Sequence, residues 1–395
     1  MSITLDTRLD VLKKIVDKLQ RKDEIKNYKQ YIDIYDKTLD IIKQKQLILY
    51  GGFALNKLLP KVHRIYKDKS LPDIDCFSNT ARKDAMEIAQ VLKDNGFNYV
   101  EVKSGIHKGT YKIFVEFQPI ADITNLTKSM YSYLSKNALL VDNIMICPAD
   151  FLLWSFYKEL SRPEGSSFRW EKIYKRYGIF HKHFKFKERT PIYNIDIDDI
   201  EYTELFNNIQ KIIKKNKYIV IGHHAVGLYL DKPCQSSDKM YMFDILSENI
   251  DETYKVLKDE LNLDIKLTLY NKSLYEVSSH IGSLIYEQPD GKIIKLCKIY
   301  KTDACYSYQK ISGYHVGSID TVLCFLYSQY MTSAHYNTHD GKLTKALRTL
   351  IVSLESNVND MNTTDRFKTN CLGYEQTMID IRKDNWDQRG FMFRP

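Results

Sequence analysis

The chain lacks any long hydrophobic run. No stretch approaches the roughly 18–20 apolar residues of a membrane span, and the N-terminal segment has no apolar core of the signal-peptide kind. Leu5, Leu9, Leu12, Val16 and Leu19 recur there at helical spacing with lysines between them, which predicts a capping helix over residues 1–35. Cysteine patterns for metal are also missing. The seven cysteines, Cys76, Cys147, Cys234, Cys297, Cys305, Cys324 and Cys371, form no CxxC pair and no zinc spacing. Scattered thiols of odd number fit a reducing cytoplasm. These absences exclude a membrane-spanning protein and a zinc domain, and predict a cytoplasmic location.

What is present is an ordinary folded composition, 44% hydrophobic over 395 residues, long enough for two domains. The most informative stretch is residues 41–78. Leu47-Ile48-Leu49-Tyr50 reads as a buried strand. It stops at Gly51-Gly52, a helical segment follows, and Asp73-Ile74-Asp75 then starts a second short apolar run. Alternate residues of a strand point to one side, so Asp73 and Asp75 face together and Ile74 turns inward. Two carboxylates side by side repel unless a cation lies between them. Glycines at a strand-to-helix turn let phosphate oxygens reach peptide N–H groups, and the helix adds its positive end. The combination points to Mg²⁺ and a nucleoside triphosphate.

Two aspartates do not complete a pair of Mg²⁺ sites, so a third carboxylate is expected on a neighbouring strand. The segment "TYKIFVEFQPIADIT" offers Glu116 and Asp122. Asp122 is preferred, because Pro119 marks an edge or bulge that re-aims the chain. Glu116 reads equally well as the solvent-facing member of an alternating strand.

The motifs "YGGFALNKLL", "PDIDCFS" and "IADIT" together resemble those of the polymerase-β-like nucleotidyltransferases, with the strongest likeness to the poly(A) polymerase catalytic subunits of poxviruses and giant DNA viruses. The resemblance covers about the first third of the chain. It implies that Gly51 and Gly52 hold a triphosphate and that Asp73, Asp75 and Asp122 ligate Mg²⁺ or Mn²⁺. The implied reaction is template-independent transfer of AMP from ATP to an RNA 3′ end. The implied assembly is a homodimer or a pairing with a separate processivity subunit. Another nucleotidyltransferase of this fold, acting on a tRNA end, a protein or a small molecule, and a non-catalytic RNA-binding scaffold stay open.

An internal repeat organises the remainder. "IIKQKQLILYG" (Ile41–Gly51) aligns without a gap to "IIKKNKYIVIG" (Ile212–Gly222), and "ADFLLWSFYKEL" resembles "SIDTVLCFLYSQY", with Asp150, Leu153 and Tyr157 matching Asp320, Leu323 and Tyr327. The second copy has His223 in place of Gly52 and Met242 in place of Asp73, and keeps only Asp244 of the carboxylate pair. The expected fold is α+β: two tandem nucleotidyltransferase-like α/β domains, the second degenerate, with flanking helices. Expected boundaries are a catalytic domain at 36–188 and a degenerate domain with C-terminal helices at 189–395, with 190–200 as linker and "DQRGFMFRP" irregular.

Net charge is +8, and it is clustered. Residues 169–189 interleave aromatics with Arg169, Lys172, Lys175, Arg176, Lys182, Lys185, Lys187 and Arg189. Basic side chains bind phosphates and aromatic rings stack on unpaired bases. Arg169 and Lys172 are expected to reach the nucleotide, and Lys175, Arg176, Lys182, Lys185 and Lys187 the RNA. Lys211, Lys214, Lys215 and Lys217 read as a solvated helix face. Adjacent His223 and His224 do not converge easily on one ion and read as structural or substrate-contacting.

Overall fold

A computed structural model describes residues 5–186, 200–231, 241–270, 277, 280–336, 341–358, 366–388 and 390–395. Helix α1 (Leu5–Gln44) is unbroken, so it crosses the expected boundary at residue 36. Its last turns carry Ile34, Tyr35, Ile41 and Ile42 into the core, while Leu9, Leu12, Val16 and Leu19 are 41–55% exposed. The predicted apolar stripe is therefore present but does not cap the core.

The chain continues as β1 (Ile48–Tyr50), α2 (Gly51–Leu58), β2 (Ile74–Ser78), α3 (Ala81–Asp94), β3 (Glu101–Ser104), β4 (Thr110–Val115), β5 (Gln118–Asn125), α4 (Lys128–Lys136), β6 (Leu139–Val141) and β7 (Ile144–Ile146). Strand β2 pairs parallel with β5 and antiparallel with β1, and β1 pairs parallel with β7. One face of this sheet is apolar: Leu49, Ile74, Cys76, Ile113, Ala121 and Ile123 pack with Ile41 and Ile42 of α1 and with Ala85, Ile88, Ala89 and Leu92 of α3. Each large aliphatic side chain buried there stabilises the fold by about 1.5–3 kcal/mol. The alternate residues of the same strands project from the other face.

The remaining elements are α5 (Ala149–Leu160), the single turn α6 (Pro163–Ser166), α7 (Trp170–Phe184), α8 (Ile200–Asn216), β8 (Ile219–Ile221), α9 (Gly222–Leu230), β9 (Phe243–Ser247), α10 (Ile250–Leu261), β10 (Ile265–Tyr270), β11 (Ile281–Glu287), β12 (Ile293–Lys301), β13 (Tyr306–Ile311), β14 (Tyr314–Gly317), α11 (Ile319–Tyr336), α12 (Gly341–Val358), β15 (Cys371–Leu372), a helix at Met378–Asp384 and β16 (Met392–Phe393). Among the described residues no helix is long and apolar enough to cross a membrane.

The expected duplication is visible in the sheets. Strand order β3-β4-β5-β2-β1-β7-β6 is repeated as β10-β11-β12-β9-β8-β14-β13, with β9 parallel to β12 and antiparallel to β8, and β8 parallel to β14.

The described chain forms two compact units, residues 1–148 with 378–395, and residues 149–377. This differs from the division expected at 188/189, a point that lies outside the described residues, as does the proposed linker at 190–199. The reason is the helix pair made by the repeat itself. Helices α5 and α11 are each other's counterparts and pack together in the second unit, with the matched Tyr157 and Tyr327 rings 5.5 Å apart. Both phenols donate to buried Glu355, at 2.7 and 3.0 Å. Burial, and behind it the Glu355 carboxylate, pushes both phenol pKa values well up. Asp320, the match of Asp150, holds Arg366 in a buried bidentate ion pair.

Cys305 and Cys371 form a disulfide, whereas Cys76, Cys147, Cys297 and Cys324 are buried and outside any disulfide. The expectation of free thiols throughout is corrected on that pair, and Cys234 lies outside the described residues.

The C-terminal segment also departs from expectation. Strand β16 adds to the edge strand β3, Met392 opposite Lys103 and Phe393 opposite Val102. Asn385 Nδ2 donates to the Gly105 and Ile106 carbonyls at 2.8 and 3.0 Å, and Phe391 lies under the Arg82 guanidinium, 4.3 Å from the ring centre. Asn385→Ala leaves these buried acceptors unmet and is expected to cost the first unit about 1–3 kcal/mol, read from the urea midpoint.

Candidate active site

Strand β1 ends at Tyr50, and the chain turns into α2 through Gly51 with φ +70°. That angle lies in the left-handed region where only glycine is unstrained. A Cβ on Gly51 would lie 2.3 Å from Asp75 Oδ2. The carboxylate therefore packs directly on the glycine backbone at the start of the helix. No side chain caps α2 and its first turn holds no acid, so its leading N–H groups keep their positive end.

Register gathers the charged side chains into one row. Lys103 pairs with Lys112, Lys112 with Asp122, Asp122 with Asp75, and Asp75 with Tyr50. Residues directly opposite one another share a face, so two lysines and two carboxylates cross four strands on the face away from α1 and α3. Asp73 is exposed and lies two residues before Asp75, just ahead of β2. Its approach is fixed by Tyr35, whose hydroxyl donates to the Pro72 carbonyl at 3.0 Å.

Asp122 takes the position preferred for the third carboxylate. Glu116 occupies the β4–β5 turn with φ +50°, six residues from Asp122 and outside the row. Lys112 forms an ion pair with Asp122, a partner that the sequence reading missed. The hairpin turn at Glu116-Phe117 sets Lys112 opposite Asp122, and no turn residue in the sequence signals it.

The surroundings report the charge. Burial pushes the Tyr50 phenol well up, with Asp75 the next cause. Burial likewise raises the Cys76 thiol, helped by Asp75 and Asp122. Tyr50 is held by Thr124 through a 3.0 Å hydrogen bond and by stacking on Phe77 at 3.8 Å.

The donor set suits a hard divalent cation: carboxylate oxygens only, on adjacent strands. Among the described residues the three carboxylates are not gathered within 4.8 Å of one another, because like charges part and Asp122 takes Lys112 as its cation. The cluster that does meet that spacing, Glu164 with Cys305 and Cys371, has its two sulfurs bonded to each other.

The second unit repeats the scaffold without the carboxylate set. Gly222 also has φ +70°, and a Cβ there would lie 2.3 Å from Asp244 Oδ2. Met242 stands in place of Asp73, and the partner of Asp244 across the parallel pair is Lys298, where the first unit has Asp122. His224 packs among Phe206, Phe243 and Tyr314. Burial, with His223 next, pushes its pKa down to about 3, so the ring stays neutral. His223 Nδ1 is 3.9 Å from Asp244. The structural reading of both histidines suits this geometry.

Of the basic cluster, Arg169 precedes α7 and is paired with Glu159 at 3.2 Å. Lys172, Lys175 and Lys182 are exposed on α7, Arg176 is half-buried, and Lys185 follows the helix exposed. All belong to the second unit. Lys187 and Arg189 lie outside the described residues.

Residues 36–166 match the family of the poly(A) polymerase catalytic subunit. The matched segment holds Gly51, Gly52, Asp73, Asp75 and Asp122, and ends before Arg169. A protein of Acanthamoeba polyphaga mimivirus described as a poly(A) polymerase catalytic subunit is 24% identical over 387 residues, covering 85% of this chain and 66% of that protein. A protein of African swine fever virus with the same description is 29% identical over 152 residues, 37% of this chain and 32% of that protein. The chain thus spans about two thirds of the first relative's length and about a third of the second's. The crystal structure of the Megavirus polyadenylate synthase shares the fold, with a TM-score of 0.83 and 19% identity, covering 100% of this chain and 87% of that one. The chain resembles viral poly(A) polymerase catalytic subunits in sequence and has the fold of a polyadenylate synthase.

Proposed function

We propose that the protein is a template-independent polyadenylate polymerase that transfers AMP from ATP to an RNA 3′ end and releases pyrophosphate. The observation that carries this reading is the row itself: Asp75 opposite Asp122, with Asp73 ahead of them and Gly51 against Asp75 at the start of α2. The family match over residues 36–166 supplies the substrate class.

In this reading Asp73, Asp75 and Asp122 hold Mg²⁺ or Mn²⁺, which neutralises the charge that develops on the transferring phosphoryl group. Gly51 and Gly52 give phosphate oxygens access to the N–H groups at the start of α2. Asp122 orients the 3′ hydroxyl, with Lys112 ion-paired to its carboxylate. Chemistry of this kind is positioning and charge stabilisation. Arg169 and Lys172 bind nucleotide phosphates, and Lys175, Arg176, Lys182, Lys185 and Lys187 bind RNA. The protein acts in the host cytoplasm, as a homodimer or with a processivity subunit, which sedimentation of the pure chain distinguishes.

The deciding experiment is extension of a labelled RNA with each of ATP, CTP, UTP and GTP in turn. Long tails with ATP alone are expected. Equal use of all four, or addition of a single fixed terminus, would overturn the assignment. For the basic segment, replacing Lys182 and Lys185 together by alanine is expected to weaken RNA binding. The slope of log K against log salt should fall by about 0.7 for each phosphate no longer neutralised. An unchanged slope makes that segment a solvated face.

A further inference from the structure

Tyr99 and Phe117 form a stacked pair in water. They are 68% and 70% exposed, with ring centres 5.1 Å apart and planes 28° from parallel. The Glu116 N–H donates to the Asn98 carbonyl at 3.4 Å and ties the β4–β5 turn to the loop that bears Tyr99.

The backbone beneath them is unusual for these residues. Tyr99, Glu116 and Phe117 have φ of +50°, +50° and +67°. A two-residue hairpin turn with both residues at positive φ is normally filled by Asn-Gly. Glu-Phe fits it poorly, since a bulky side chain in the left-handed region is strained. Leaving two aromatic rings in water is also unfavourable. Two local penalties meet at one exposed pair, as they do where a segment is kept for its ligand.

Position identifies the ligand. Phe117 precedes β5, and Asp122 follows five residues later, about 16 Å along the strand. Strand β2 runs parallel to β5 and begins just after Asp73, and β1 runs antiparallel and ends at Tyr50. The pair therefore marks the same end of the sheet as Gly51 and Asp73. We propose that Tyr99 and Phe117 are a stacking platform for a base of the single-stranded RNA, about three to five nucleotides upstream of the 3′ end by the spacing of a nucleic-acid strand. This rests on the polymerase reading above. Stacking tolerates any base, which suits an enzyme that must hold both the original RNA end and the growing tail.

The test uses the full chain with wild type, Phe117→Gly and Phe117→Trp, and a labelled single-stranded RNA carrying an abasic nucleotide at each position from the second to the seventh before the 3′ end. Glycine suits the φ of +67°, so the loss of the ring is separated from misfolding, which a thermal melt verifies. Phe117→Gly is expected to weaken binding and raise the KM for RNA about tenfold, with kcat far less affected. One abasic position should produce the same loss in wild type and no further loss in Phe117→Gly, and Phe117→Trp should restore affinity. Wild-type affinity in Phe117→Gly overturns the platform. So does a variant whose oligomeric state changes while its RNA affinity does not, since the pair would then be a protein interface. If wild type binds RNA but extends none, the polymerase reading fails, whereas the abasic scan still reads the platform.

Discussion

Asp75→Ala is expected to lower RNA extension by about a thousandfold or more while the chain stays folded and binds RNA. Asp75 lies in the row between Asp122 and Tyr50. Its side chain lies outside the apolar core, so the effect should fall on the chemical step. Asp75→Asn tests the charge alone, since the amide fills the same space against Gly51 but ligates a hard cation poorly. Asp73→Ala and Asp122→Ala should rank with it. Glu116→Ala should be much milder, because that side chain belongs to the hairpin turn. Single-turnover extension at saturating ATP and RNA reads the ranking, and near-wild-type rates in Asp75→Ala would remove the site from this face of the sheet.

Gly51→Ala is the second large effect. The new methyl group has nowhere to go: it would lie 2.3 Å from Asp75 Oδ2, on a backbone with φ +70°. Relieving the clash means moving either the carboxylate or the start of α2. A displacement of about 1 Å at a reacting centre costs on the order of a hundredfold in rate, and the strain adds about 1–3 kcal/mol of destabilisation. Gly222→Ala is the matched control, because its Cβ would meet Asp244 Oδ2 at the same 2.3 Å on a backbone with the same φ of +70°. Both variants should lose similar stability in urea, but only Gly51→Ala should lose the chemical step with a short RNA. Equal loss of chemistry in both would mean that the second scaffold takes part in catalysis.

The carboxylate pair and the diglycine turn were legible because they are local, and the duplication because the two copies keep the same residues in the same order. Strand, Gly-Gly, helix and Asp-Ile-Asp lie within residues 47–75, and each step is dictated by backbone sterics or by the period of two. The partner of Asp122 was not legible. Pairing Lys112 with it requires the hairpin register, and Glu116-Phe117 carries none of the turn chemistry that announces one. The unit boundary was hidden for another reason. Helix α5 is apolar along most of its length and reads the same whichever unit it packs in; the shared acceptor Glu355 settles the matter for Tyr157, and it lies 198 residues away. Strand β16 has two residues, too few for any periodicity, and its pairing depends on an open edge made elsewhere. The disulfide is likewise a long-range fact, joining cysteines 66 residues apart.

The strand that completes the first sheet has a consequence for biosynthesis. A ribosome makes β3 hundreds of residues before it makes β16, so the first sheet waits with one edge unpaired while the whole second unit emerges. Open edges invite pairing with other chains, and the nascent protein must pass through that exposed interval each time it is made. A message broken or terminated between codons 123 and 392 yields a chain that carries Asp73, Asp75 and Asp122 and lacks the strand that covers this edge. Such a product would present its unfinished rim to any strand able to pair with it.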